Sequence, residues 1–162
     1  MAAAARVMPV FLQDFFDLPV GSRQVGLQLA RGGAWLAPLA DQAVADGRDL
    51  LVRLGRDRHP VGALVALHVQ VGEALVRDDA TVIPIRWEAA RLAQLFPVLD
   101  GQLDIAPLDD RHSRVLLQAS YRPPLDGVGR WLDGAVLHRV AESTVRSFLQ
   151  LVATEVASEA PG

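Results

Sequence analysis

The stretch GAVLHRVAESTVRSFLQLVATEVA, residues 134–157, decides the fold. Counted at ~100° per residue, Leu137, Ala141, Thr144, Phe148 and Leu151 fall on one stripe, and Val140, Val145 and Val152 flank it. Arg139, Glu142, Arg146 and Gln150 sit opposite, with Glu142 and Arg146 spaced as an i,i+4 pair. The spacing predicts one long amphipathic helix. Upstream the phase breaks: Val128, Leu132 and Ala135 lie on the other side. Gly127 to Leu132 therefore reads as a separate turn or short helix, with a kink near Asp133-Gly134.

Working back from the helix, the chain reads as short strands. Val115, Leu117, Ala119 and Tyr121 alternate with more polar residues and run into Arg122-Pro123-Pro124. Leu99, Leu103 and Ile105 alternate with Asp100, Gln102 and Asp104, and Asp109-Asp110-Arg111-His112 makes a hairpin turn. Thr81, Ile83, Ile85 and Trp87 share one face of a further strand, with Arg86 and Glu88 on the other. Pro84 within it calls for an edge position or a bulge. Val61, Ala63, Val65, Leu67, Val69 and Val71 also show period two, and Asp78-Asp79 turns the chain between these two runs. Leu92 to Phe96 reads as a helical turn closed by Pro97.

The N-terminal third is more mixed. Val7 to Phe16 reads as a strand broken by Asp17, Pro19 and Gly21. Arg23 to Ala30 reads as a short helix stopped by Gly32-Gly33. Trp35 to Ala45 reads as a second short helix ended by Asp46-Gly47, and Leu50 to Leu54 as a short strand. No linker, repeat or low-complexity block divides the chain, so residues 6–158 are expected to form a single domain. The fold class is α+β: an antiparallel sheet curved around the C-terminal helix, with two short helices after the first strand.

Composition bounds the function. The chain has 162 residues, 51% hydrophobic and 22% charged, enough for a sizeable core. Its net charge is -3 and no like-charge run exceeds two residues, which argues against nucleic acid as a partner. The sixteen basic residues are all arginine. With no cysteine there is no disulfide, thiolate metal site or cysteine nucleophile. The N-terminus lacks a basic n-region and a long apolar h-region, and no segment approaches the ~20 apolar residues of a membrane span. A cytoplasmic protein is expected.

The order of elements resembles the SRPBCC superfamily, also called START-like or Bet v 1-like. The words that carry the resemblance are Ile85-Arg86-Trp87-Glu88-Ala89, Leu95-Phe96-Pro97-Val98-Leu99, Tyr121-Arg122-Pro123-Pro124 and Leu137-His138-Arg139-Val140-Ala141-Glu142. They look like a bacterial branch of it, of the polyketide cyclase/dehydratase-like or ligand-binding kind. The resemblance implies a helix-grip fold with a hydrophobic cavity between sheet and last helix. Members of the superfamily include lipid and steroid carriers, polyketide cyclases and aromatases, and chaperone-activating domains. Fold alone does not choose among these.

Candidate chemistry is sparse. The chain has no Gly-x-Ser-x-Gly elbow and no Walker loop. Gly127-Val128-Gly129 with Gly134 lacks the βαβ context of a dinucleotide loop, and close backbone packing at a kink accounts for it. His59, His68, His112 and His138 have no metal-ligand spacing, and no metal or cofactor is expected. His138 lies beside the helix stripe. It is a candidate proton-transfer group, or else a ring hydrogen-bonded to the sheet. Tyr121 is the candidate orienting donor. Trp87, Leu103, Leu117, Tyr121, Leu137, Ala141 and Phe148 are expected to line a pocket. The leading expectation is a binder of a hydrophobic small molecule. The alternatives are a polyketide cyclase/dehydratase-like enzyme and a protein–protein module whose core is filled by its own side chains.

Overall fold

A computed structural model describes residues 8–53, 67–89, 98–122 and 134–159. In chain order these form β1 (Val10–Leu18), α1 (Ser22–Leu29), α2 (Gly33–Arg53), β2 (Leu67–Val71), β3 (Leu75–Arg77), β4 (Ala80–Ala89), β5 (Leu99–Pro107), β6 (Ser113–Tyr121) and α3 (Gly134–Ser158). The six strands make one curved, wholly antiparallel sheet in the order β1-β6-β5-β4-β2, with β3 also pairing β4.

Alternation of side chains builds the sheet. On β6, Ser113, Val115, Leu117, Ala119 and Tyr121 all point inward and are each at most 5% exposed, whereas Gln118 faces solvent. Leu99, Leu103 and Ile105 continue that inward face on β5, and Ile83, Ile85 and Trp87 on β4. Fully burying one such aliphatic side chain is worth ~1.5–3 kcal/mol, so a one-residue register slip would be ruinous. The β5–β6 hairpin is fixed by Asp109, whose Oδ1 accepts from the backbone N–H groups of Arg111 and His112, each at 2.8 Å. These bonds, the Arg111 N–H foremost and then the His112 ring, hold the Asp109 carboxyl below its ordinary range.

Pro84 sits in an interior strand, since β4 is flanked by β5 on one side and by β2 and β3 on the other. The bulge, not the edge, is how the sheet accommodates it. Between Val71↔Ile85 and Leu75↔Val82 the outer arm holds one residue more than β4 does, so β2 and β3 are one strand interrupted at Gly72-Glu73-Ala74. The Gly72 N–H donates to the Pro84 carbonyl at 2.8 Å, and the missing proline N–H faces the interruption. A Cβ on Gly72 would come within 3.0 Å of the Pro84 ring. Bulges bend and twist a strand, which suits a sheet that must curve. Asp78 holds the following turn at φ 49°, a left-handed position that short polar side chains tolerate.

Two expectations for the N-terminal third need correction. The second helix does not stop at Asp46-Gly47, and of the expected strand Leu50 to Leu54 the described residues, Leu50 to Arg53, are helical: α2 runs on to Arg53. Gly47 costs the helix ~1 kcal/mol relative to alanine, which packing against α3 overrides. Asp46 does not turn the chain, because its carboxylate is engaged along and across the helices. It accepts from Gln42 one turn back at 3.1 Å and from the Ser147 hydroxyl of α3. Gly32, at φ +92°, is the break between α1 and α2 that Gly32-Gly33 predicts. The expected residues Val61 to Val65, Leu92 to Phe96 and Gly127 to Leu132 lie outside those described.

The terminal helix starts and ends where the sequence puts it, at Gly134 and within one residue of Ala157. Its buried face is rotated, though. Val145, Phe148, Leu149, Val152 and Val156 are each at most 2% exposed, while Thr144 and Leu151 are only partly covered. The reason is a second layer: α3 packs on α2 and β1 as well as over the sheet's concave side. Ser147 ties it to α2, and Arg146 ties it to β1 through Asp14 at 3.0 Å. The expected Glu142–Arg146 pair gives way to other partners, Asp14 for Arg146 and His138, one turn back, for Glu142.

Candidate functional site

α3 and the sheet meet in aromatic packing. Trp87 of β4 meets Phe148 of α3 edge-to-face, ring centroids 5.1 Å apart and planes at 75°. Trp87, Leu103, Leu117, Tyr121 and Phe148 all belong to one buried cluster, and Ala141 packs against it. Five of the expected pocket residues thus stand side by side on the concave face and the helix. The Leu137 side chain lies outside those described.

Toward the start of α3 the contact becomes polar. Tyr121 is the last residue of β6, held between Val10 of β1 and Leu99 of β5. Its ring continues the inward row, and the residue is 2% exposed. Its hydroxyl lies 3.4 Å from His138 Nδ1 on α3. The other ring nitrogen, Nε2, lies 3.2 Å from Glu142 Oε1, one helical turn on. The His138 side chain is about two-fifths exposed, so this row ends at the protein surface. Burial, and secondarily the Glu142 charge, push the Tyr121 phenol above the ordinary tyrosine range. Tyr121 is therefore a neutral hydrogen-bonding group at physiological pH. A carboxylate that orients an imidazole, itself in reach of a phenol, is an arrangement able to hold a ligand's polar end or to pass a proton.

The expected pair Tyr121 and His138 is thus brought within hydrogen-bonding reach. Glu142 is the member that sequence reasoning missed, because helix phasing placed it on the solvent side opposite the stripe. The His138–Glu142 spacing of i,i+4 was the signal that could have found it. Beside Glu142 a small cleft of about 70 Å³ opens outward between β1 and α3, bounded by Phe11, Gln13, Asp14, Val145 and Arg146. Leu12 and Val145 of the buried cluster form part of its wall, and it is too small for an organic ligand of ordinary size. Among the described residues, no group of three His, Asp or Glu is placed to hold a metal ion. No described helix is long and apolar enough to cross a membrane.

This architecture is that of the helix-grip proteins. No family model and no curated protein matches the chain. Among solved structures it is similar to a START superfamily protein from Mycobacterium smegmatis, with a TM-score of 0.55 and 8% identity over 93% of this chain and 99% of that one. It is also similar to a conserved protein from Geobacillus kaustophilus, with a TM-score of 0.51 and 13% identity over 92% and 96% of the two chains. The chain has the SRPBCC fold, START-like or Bet v 1-like, that its order of elements suggests.

Proposed function

We propose that this protein binds a hydrophobic small molecule, of lipid, polyketide or isoprenoid character, between the sheet and α3. The observation that carries the reading is the inward row Trp87, Leu103, Leu117 and Tyr121, which faces α3 across the concave side and ends in hydrogen-bonding groups. Apolar walls with a few placed polar atoms are what small-molecule sites are made of. An apolar dye or a fatty acyl compound should bind with a Kd of about 1 μM, roughly -8 kcal/mol. Trp87 emission should respond, and Trp87→Phe should remove the response while Trp35 and Trp131 still emit. Absence of saturable binding by any apolar probe would favour the interaction-module reading instead. The proposal places the protein in the cytoplasm, which cell fractionation tests.

A second reading is favoured by the Tyr121–His138–Glu142 row: a polyketide cyclase/dehydratase-like enzyme, with His138 moving the proton and Tyr121 orienting the substrate. His138→Asn keeps hydrogen bonding but removes the group that takes up and releases a proton. It should abolish turnover of a candidate polyketide while leaving binding within about twofold. Equal loss of both would assign His138 to packing.

A further inference from the structure

We propose that the Tyr121–His138–Glu142 row selects ligands whose polar end is a neutral hydroxyl, in preference to a carbonyl or a carboxylate. The inference rests on the binding reading above and deepens it. It follows from which atoms can donate. A carboxylate only accepts hydrogen bonds, so the ring nitrogen facing Glu142 Oε1 at 3.2 Å, Nε2, carries the proton. In the neutral imidazole the other nitrogen, Nδ1, is then an acceptor. Nδ1 faces the Tyr121 hydroxyl at 3.4 Å, and with Nδ1 as acceptor the phenol's single O–H is the donor between them. What Tyr121 has left to offer is an oxygen with free lone pairs and no donor.

A ligand group meeting that oxygen must donate. An alcohol or phenol does so without charge. A ketone or ester cannot, and its oxygen would lie against the Tyr121 lone pairs unpartnered, which is costly in a desolvated gap. A carboxylate fails on the same ground and is repelled by Glu142 as well. An ammonium can donate, but it would have to shed its water beside the buried Leu99 and Ala119, the inward neighbours of Tyr121 in the sheet. The site's polarity is thus fixed by Glu142, which touches the tyrosine only through the imidazole. Glu142 is a positioning residue in this scheme.

The test is competition against a bound apolar dye at about pH 8.5, on the neutral side of the ordinary histidine range. The competitors are lauryl alcohol, lauryl methyl ether and laurate, which share a chain and differ only in the head. The alcohol should compete about three- to tenfold better than the ether, the span of one net hydrogen bond, and laurate should be the weakest. In Tyr121→Phe the alcohol and the ether should become equal. In Glu142→Gln, an exposed position that leaves the buried cluster untouched, laurate should gain several-fold on the ether. Equal affinities for alcohol and ether in the unaltered protein, or an alcohol preference that survives Tyr121→Phe, would overturn the hydroxyl assignment while leaving the pocket standing. Failure of all three to displace the dye would overturn the assignment together with the pocket.

Discussion

The two halves of α3 face the same sheet and are built to opposite ends. From Val145 to Val156 the helix contributes Phe148, Leu149 and Val152, each at most 1% exposed, to a tightly covered cluster. From His138 to Glu142 it presents an imidazole and a carboxylate at a half-open rim, opposed by one tyrosine. The distal half can carry stability because it excludes water from both layers. The proximal half can carry chemistry because its hydrogen-bonding groups are few, oriented and reachable. The pairing teaches that one helix can anchor a fold with one half and hold hydrogen-bonding groups at a partly exposed end with the other.

The harshest way to break this division is Phe148→Asp. An unpaired carboxylate against Trp87 should cost on the order of 4 kcal/mol or more and leave little folded protein at ordinary temperature. An unchanged thermal midpoint would mean that the distal half is not the anchor. Trp87→Ala should cost about 3–5 kcal/mol if its walls are closed around it. A loss nearer 1 kcal/mol would show that the gap beside Trp87 already holds room for a guest.

Gentler changes sharpen the proximal half. Tyr121→Phe keeps the ring and should cost within about 1 kcal/mol, since it gives up one long hydrogen bond. Tyr121 is the only tyrosine in the chain, so ultraviolet absorbance reads its ionisation without interference. It should ionise later than a free tyrosine, because burial and the Glu142 charge both oppose the phenolate. The sign for stability follows: a phenol whose folded pKa exceeds its unfolded value stabilises fully below the unfolded value. That contribution is lost as pH rises through the folded one. Denaturant midpoints of the parent should thus fall faster in alkali than those of Tyr121→Phe. His138→Asn should shift stability least, within about 0.5 kcal/mol, as befits a side chain at the rim.

Much of this was legible in the chain because period two and period 3.6 are local signals. Val115 to Tyr121 and Ile83 to Trp87 alternate cleanly, since one face of each strand meets the core and the other meets water. Gly134 marked the start of α3 for the same kind of reason. What local patterns cannot show is a partner far along the chain. Asp46-Gly47 looks like a helix stop until Ser147 is seen to hold the Asp46 carboxylate. Arg146 looks like a partner for Glu142 until Asp14 of β1 is found beside it. The site divided along the same line: Tyr121 and His138 stood out as polar groups on apolar faces. Glu142 looked like one more solvated charge, and its role needed the imidazole's orientation.

The pairing of β1 with β6 has a consequence in time. Val10 meets Tyr121 and Leu18 meets Ser113, so the strand's one neighbour in the sheet lies about a hundred residues away. A chain emerging from the ribosome makes Phe11, Phe15 and Phe16 long before β6 and must carry them unpaired until that strand has been made. Even in the finished fold, Phe11 remains 77% exposed on the sheet's outer edge. The Phe15 N–H donates to the Asp14 carboxylate at 3.0 Å, and that carboxylate is in turn held by Arg146. A backbone donor turned to its own neighbour's side chain is withheld from a passing strand. The guard is completed only when the last helix docks, so the moment of greatest hazard for this molecule is the interval of its own synthesis.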